Sequence, residues 1–368
     1  MTPERKQKIL ISPLNWGYGH AGRMIPVAKH LQSLGHEVIF GIDRSLYPLI
    51  MNELPGTEII VIPGIRMRYS RFIPQYMMIL LQTPALFFCS LREHSLLKKI
   101  IAEKKPDIVI SDNRFGLFSR KVFCVYVTHM IRIPYPRLFR VFEYTGILLH
   151  RIIISRFDMC LIPDRQGDIN LAGRLSHAGR PGPSYVYTGW LSRFTQYGTS
   201  AFEPEPYICL FLSGPEPQRS LLLRKVKKAA SANGKKLVVL SGTEVKDEND
   251  DPSVSYIINS PTAVMREVLL KAGTIICRSG YTSLMELASL SKGAIIVPTP
   301  GQTEQEYLGQ YNNGRRGFTL VKQNEIEYCN FEQTQPGLKA MAAEPDTSAE
   351  LHSALIRVLQ ENEKRGYH

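Results

Sequence analysis

Apolar residues in this chain come in short dense runs that end at glycine or at a polar residue and give way to a three-and-four spacing. Short apolar runs bounded by turn signals fit parallel strands buried on both faces, and the three-and-four spacing fits helices with one buried face. Lys8 to Ser12 opens the series as a strand, and Asn15-Trp16-Gly17-Tyr18-Gly19-His20 follows as a turn. A helix is expected from about Gly22 to Leu34, with Ile25, Ala28, Leu31 and Leu34 on one face; Gly35 closes it and Glu37 to Gly41 is the next strand. A strand-helix-strand unit of this kind makes a parallel, right-handed crossover.

The same grammar predicts further strands at Glu58 to Ile62, Asp107 to Ser111, Val122 to Thr128, Asp158 to Ile162 and Tyr185 to Thr188. In the second half it predicts Tyr207 to Leu212, Lys236 to Leu240, Val254 to Ile258, Thr274 to Cys277 and Ala294 to Val297. Each half reads as a doubly wound, Rossmann-like α/β domain. The periodicity breaks between Ser192 and Pro206, so the expected domains are 1–195 and 204–345. A C-terminal helix in 346–368 has Leu351, Leu355, Val358 and Leu359 on one face and is expected to pack back on a domain.

Length changes this picture little, since 368 residues suit two domains with separate cores. Charge adds more. The formal net charge of +12 favours anionic partners: nucleotides, nucleic acid or an acidic lipid surface. The six cysteines are scattered singly in mostly apolar surroundings, which suggests buried thiols in a reducing compartment rather than zinc or disulfide chemistry. The charged N-terminus leads straight into a strand without a signal-peptide pattern, and Pro74, Gln75, Gln82 and Pro84 interrupt the most apolar stretch, Ile73 to Leu91. A cytoplasmic protein is the expectation. The acidic loop Lys246 to Asp251 is expected to be solvated rather than a metal site.

Chemistry gathers at strand ends. After the strand Thr274 to Cys277, Arg278-Ser279-Gly280 forms a turn and a helix begins, with Leu284, Leu287, Ala288 and Leu290 on its buried face and Glu286 one turn in. The amide groups and dipole at such a helix start suit a phosphate, although an ordinary strand-to-helix turn has the same pattern. The following loop, Pro300-Gly301-Gln302-Thr303-Glu304-Gln305-Glu306, is rich in amides and carboxylates that suit sugar hydroxyls or a solvated helix start. Ser213-Gly214-Pro215-Glu216-Pro217-Gln218-Arg219 offers backbone donors at Gly214 and a cation at Arg219 to a diphosphate, or a rigid proline turn.

In the first half, Gly17 and Gly19 flank a turn carrying His20, with Arg23 behind it. His20 is a general-base candidate or a helix cap. Asp112, in Ser111-Asp112-Asn113-Arg114, and His129, after Thr128, follow other strands and point to the same crevice. Asp112 is a candidate to orient His20, or a turn-former. The turn lacks the third glycine of a dinucleotide fingerprint, which disfavours a nicotinamide enzyme.

As a set these residues resemble the two-domain GT-B glycosyltransferases, and within them the family 28 branch that includes the N-acetylglucosaminyltransferase of peptidoglycan precursor synthesis. Cys277-Arg278-Ser279-Gly280 followed by Glu286, and Gly19-His20 ahead of a helix, carry the resemblance. It implies two domains facing across a cleft, with the acceptor on the first and a nucleotide-sugar, UDP-linked, on the second. By position it implies Glu286 for the ribose hydroxyls and Ser279, Gly280, Thr282 and Ser283 for the diphosphate. It also implies the Ile258 backbone for a uracil edge, and Gln305 for the donor sugar under either of two registers, Glu304-Gln305 or Gln305-Glu306. His20 would stand beside the acceptor and the reacting carbon, with Gly17, Gly19, Arg23 and His129 on the acceptor side. Two departures stand out: the glycine-rich loop opening the second domain is replaced by Ser213 to Arg219, and the first domain shares little beyond its opening turn.

The resulting expectation is an inverting, metal-independent hexosyltransferase with His20 as base, Asp112 behind it, and Arg219 or Arg278 on the leaving diphosphate. It needs no cofactor and no metal, and its acceptor hydroxyl is unidentified. Ile65 to Leu97 mixes Arg66, Arg68, Arg71 and Arg92 with Met77, Met78, Leu80, Leu81, Phe87 and Phe88, as an anionic membrane surface or a core with a basic rim would have it. The alternatives are a nucleotide-sugar 2-epimerase of the same two-domain plan, which would carry an acidic residue where Arg278 stands, and a non-catalytic nucleotide or nucleic-acid binding protein. Nucleic acid is not expected, because basic and aromatic residues do not share one strip.

Overall fold

Lys8–Pro13 forms β1, in which Ile9, Leu10 and Ile11 are fully buried, as a central strand covered on both faces requires. The computed structural model describes residues 5–65, 75–135, 143–177, 185–195, 202–245, 251–331 and 348–366. The chain divides into two compact units, Met1–Met67 with Ile79–Leu191 and Asp346–His368, and Ser192–Pro345 with Arg68–Met78.

In the first unit β1 is joined by β2 (Glu37–Ile42), β3 (Glu58–Val61), β4 (Ile108–Asp112), β5 (Phe123–Val127), β6 (Met159–Ile162) and β7 (Tyr185–Tyr187). They make one parallel seven-stranded sheet in the order β3-β2-β1-β4-β5-β6-β7. The order reverses between β1 and β4, and a crevice opens at such a switch point beyond the carboxyl ends of the strands. The helix after β1, α1, spans Tyr18–Ser33. It starts four residues earlier than the apolar spacing predicts, because Gly17 turns the chain at φ 115°, a value that favours glycine. His20 therefore sits in the first helical turn rather than in a loop.

Helix α2 covers Tyr47–Glu53 and α3 covers Gln75–Lys104, a 30-residue helix that runs through Pro84. Among the described residues no helix is long and apolar enough to cross a membrane. Arg66, Arg68 and Arg71 lie outside the described residues, as do 246–250 of the acidic loop and 196–201 of the expected domain join. Helix α4 covers Glu143–Ile154.

The second unit repeats the plan. Strands β8 (Glu205–Leu212), β9 (Leu237–Ser241), β10 (Val254–Ile258), β11 (Ala272–Cys277), β12 (Ala294–Ile296) and β13 (Phe318–Leu320) form a parallel six-stranded sheet, ordered β10-β9-β8-β11-β12-β13. Its switch point falls between β8 and β11. Helices α5 (Gln218–Ala232), α6 (Thr262–Lys271), α7 (Tyr281–Ser289) and α8 (Thr303–Asn312) connect the strands. The last helix, α9 (Ser348–Arg365), buries Leu351, Ala354, Leu355, Val358 and Leu359 and returns to the first unit. Glu350 pairs with Arg165 at 3.2 Å, and the Asn362 side chain donates to that of Gln7 at 3.0 Å.

Each unit has its own apolar core, one centred on Leu10, Val109 and Tyr126, the other on Leu210, Val239 and Ile276. Cys124, Cys160, Cys209 and Cys277 are buried free thiols, the first two inside the core of the first unit. Burial pushes Cys124 and Cys277 up to about 12, so they behave as packing groups rather than nucleophiles.

Candidate active site

At the switch point of the first unit, His20 and Arg23 lie one turn apart on α1 and both meet Asp112, the last residue of β4. His20 Nδ1 is 3.1 Å from Asp112 Oδ2, and Arg23 Nε donates to the same oxygen at 2.9 Å. Arg23 Nη2 donates to Asp112 Oδ1, closing a two-point contact. Burial pushes the Asp112 carboxyl up, but Arg23 and then His20 outweigh it and hold it at about 2. An ionised carboxylate only accepts and a guanidinium only donates, and His20 Nδ1 lies 3.1 Å from each, from Asp112 Oδ2 and from Arg23 Nη2. The His20 side chain is 20% exposed while that of Asp112 is fully buried, so the dyad offers solvent the imidazole and not the carboxylate.

Arg23 is only 1% exposed, and its Nη1 lies 3.3 Å from His129 Nδ1. Arg23, expected on the acceptor side, places its guanidinium against Asp112 and His129. His129 is likewise buried. Gly17 and Gly19 border the site as the N-cap and first turn of α1. Asn113 continues from Asp112 in the left-handed region, and Arg114 then turns into the core, where it donates to Glu93 Oε1 at 2.9 Å and to the Pro63 carbonyl at 2.7 Å.

In the second unit the turn after β11 and the start of α8 come together. Ser279 Oγ donates to the Gln305 carbonyl at 2.8 Å, and the Thr299 amide donates to Gln305 Oε1 at 2.9 Å. The remaining amide nitrogen, Nε2, faces the turn: a Cβ placed on Gly280 would sit 3.9 Å from it. Gly280 is the N-cap of α7 with an ordinary extended backbone, φ −75°. Its missing side chain leaves open the space beside the helix N-terminus, where the partial positive charge lies. Thr282 is half-buried in the first turn of α7 and Ser283 is buried.

Of the two registers for the polar pair, both share Gln305. Glu306 Oε1 accepts from the Gly301 amide at 2.8 Å and so closes its own loop, while Glu304 is half-buried. Glu286 is 3% exposed, and its Oε1 accepts from Arg193 Nε at 2.7 Å. That partner lies 93 residues away and escaped the reading of the sequence, which held no local signal for it.

Two expected phosphate ligands are otherwise engaged. Arg278 is 1% exposed, and its guanidinium donates to the carbonyls of Gln218 at 2.6 Å and of Val297 and Pro298 at 3.3 Å. Burial lowers its pKa to about 10. Arg278 thereby ties the ends of β11 and β12 to the start of α5. Arg219 bridges loops, donating to Glu216 Oε1 and the Glu244 carbonyl, both at 2.9 Å, and to the Thr243 hydroxyl. Gly214 turns the chain after β8 at φ 97°. Ile258 ends the edge strand β10 and is 36% exposed, separated from β11 by β9 and β8. Among the described residues no group of three or more His, Cys, Asp or Glu side chains converges as metal ligands do.

Comparison with known proteins meets this geometry at the second unit. Residues 209–360 match the model of the glycosyltransferase family 28 C-terminal domain. That match makes the region similar to the C-terminal domain of that family, and the two parallel-sheet units give the whole chain the GT-B fold of the solved structures it resembles. The calicheamicin glycosyltransferase CalG4 superposes with a TM-score of 0.60 at 13% identity over 98% of each chain. SnogD from Streptomyces nogalater gives 0.59 at 15% identity, over 98% of this chain and 96% of its own. SsfS6 from Streptomyces sp. SF2575, complexed with thymidine diphosphate, gives 0.60 at 13% identity over 96% of this chain and 99% of its own. These identities carry the fold alone. No curated protein sequence matches the chain.

Proposed function

We propose that this chain is an inverting, metal-independent glycosyltransferase, moving a hexosyl group from a UDP-sugar to the hydroxyl of a lipid-linked or cell-envelope acceptor without a cofactor. The observation that carries the reading is the His20–Asp112 pair, a partly exposed imidazole with its Nδ1 3.1 Å from a buried, ionised carboxylate. In this reading Nε2 takes the acceptor's proton as the hydroxyl oxygen bonds to the anomeric carbon. The bond from that carbon to the diphosphate oxygen breaks on the opposite face, and the configuration inverts. Glu286 accepts from the ribose hydroxyls, Gln305 binds the sugar, and the Ile258 main chain reads the base edge. The N-terminus of α7 receives the charge growing on the diphosphate. Because Arg278 is committed to carbonyls, the helix N-terminus takes the larger share of that charge, and Arg219 shapes the loops around it.

Support for a lipid-linked acceptor comes from α3, where Leu80, Leu81, Phe87 and Phe88 are each more than 60% exposed, beside the exposed Arg92. Such a face suits the interface of an anionic membrane on a protein of net charge +12. Sedimentation with phosphatidylglycerol vesicles, against neutral ones, tests it: equal partition refutes the membrane contact.

The donor is tested by thermal shift with UDP, GDP and dTDP and their common sugar conjugates. UDP and a UDP-sugar are expected to raise the midpoint most. Preference for dTDP, the ligand in the SsfS6 complex, would replace the base assignment, and no shift with any of them removes the donor reading. His20→Ala is expected to keep the shift and lose transfer; undiminished transfer rules out the base. Turnover undiminished by EDTA is expected of a metal-independent enzyme.

A further inference from the structure

Glu286 lies in a stretch of α7 where its neighbours Leu284, Met285, Leu287 and Ala288 are all fully buried. A carboxylate in such surroundings stays charged only with a partner, and Arg193 supplies one through Nε at 2.7 Å. Arg193 is itself fixed. Its guanidinium lies 5.4 Å from the centre of the Phe194 ring, and the residue before it is pinned to α7 because Ser289 Oγ donates to Ser192 Oγ at 2.7 Å. The Phe194 amide donates to Ser192 Oγ at 3.2 Å, and Thr195 Oγ1 donates to the Ser192 carbonyl at 2.8 Å, so the segment is a closed turn. Glu286 and Ser289 stand three residues apart, one turn of the helix, and both anchors fall on the same face.

We infer that Arg193 is a positioning residue for the donor ribose, holding Glu286 charged and in one orientation so that its carboxylate accepts from the ribose hydroxyls. The inference rests on the ribose role proposed above for Glu286. A ribose diol presents two O–H donors in a fixed relation, and a carboxylate meets both only when its plane is set. The Nε–Oε1 bond sets that plane from the protein side. Arginine suits the task because its N–H directions are rigid, whereas a lysine ammonium supplies charge without direction.

The experiment compares binding of UDP and of 2′,3′-dideoxy-UDP to the full chain by calorimetry. Hydrogen bonds to a charged group contribute enough that the parent is expected to prefer UDP by about tenfold or more. Arg193→Met is expected to bring that preference below about threefold by weakening UDP while leaving the dideoxy compound nearly unchanged. A merely structural role would weaken both ligands alike and keep the ratio. Arg193→Lys keeps a counter-charge beside Glu286 and guards against a misfolded methionine variant; its ratio is also expected to fall by at least about threefold. A parental ratio in whichever variant folds overturns the inference. Glu286→Gln separates the two claims. If the parent does not discriminate, or Glu286→Gln discriminates as the parent does, the ribose role itself fails. If Glu286→Gln loses the preference and the Arg193 variants retain it, only the positioning role fails.

Discussion

Replacing Asp112 by asparagine removes one charge from a buried, three-residue arrangement and leaves the others in place. Arg23, 1% exposed, would then face an amide, with no carboxylate against its Nε and Nη2. Losing one member of a buried pair costs about 3–5 kcal/mol, most of it the desolvation of the orphaned partner. The carboxyl's own contribution can be sized separately. Its depression from 3.8 to about 2 corresponds, at about 1.4 kcal/mol per pKa unit, to about 2–3 kcal/mol at neutral pH. Because the folded-state pKa is the lower one, that contribution is complete above pH 3.8 and is lost as pH falls through about 2. Both tryptophans, Trp16 and Trp190, belong to the first unit, so intrinsic fluorescence in urea reports on the unit carrying the substitution. With a slope of about 2 kcal/mol per molar, the Asp112→Asn midpoint is expected to fall by about 2 M. Adding Arg23→Met, which removes the stranded charge, is expected to restore at least about 1 kcal/mol while transfer stays lost. An unchanged midpoint in the single variant, or a double variant that loses the sum of the two single effects, refutes the account of this site.

Two glycines give opposite expectations. A Cβ on Gly116 would lie 2.1 Å from the Ser90 carbonyl oxygen and 2.7 Å from Glu93 Cβ, so Gly116→Ala should lose about 1–3 kcal/mol, read as a lower melting temperature. At Gly280 the nearest atom to a new Cβ is 3.9 Å away, so Gly280→Ala should melt within about 0.5 kcal/mol of the parent and yet show a reduced thermal shift with UDP. Ending the chain at residue 347 uncovers the surface that packs against Leu351, Leu355, Val358 and Leu359. At about 1.5–3 kcal/mol for each of these four buried side chains, the loss of about 6–12 kcal/mol is comparable to the usual stability of a domain, about 5–15 kcal/mol, and the fluorescence transition of the first unit should move to much lower urea or vanish.

What the sequence determined by itself was whatever repeats along the chain or sits at the end of a repeat. Dense apolar runs fixed the positions of twelve strands to within a residue or two, because a parallel strand covered on both faces must be apolar throughout. The thirteenth, Phe318–Leu320, was not read from the sequence. Polar and glycine residues immediately after those strands marked His20, Asp112, Ser279, Gly280 and Gln305 as candidates, and the switch points of both sheets lie at these turns. Tertiary structure alone decided the partnerships of the charges. Arg278 read along the chain as a cation available to a diphosphate and Arg23 as an acceptor-side residue, yet with Arg114 they are the largest fully buried side chains. Each is surrounded by carboxylates or carbonyls contributed by distant segments, as Glu286 is met by Arg193 from 93 residues away. Periodicity is a local property that a strand or helix imposes on its own residues. The pairing of buried charges depends on which chain ends the sheet brings side by side.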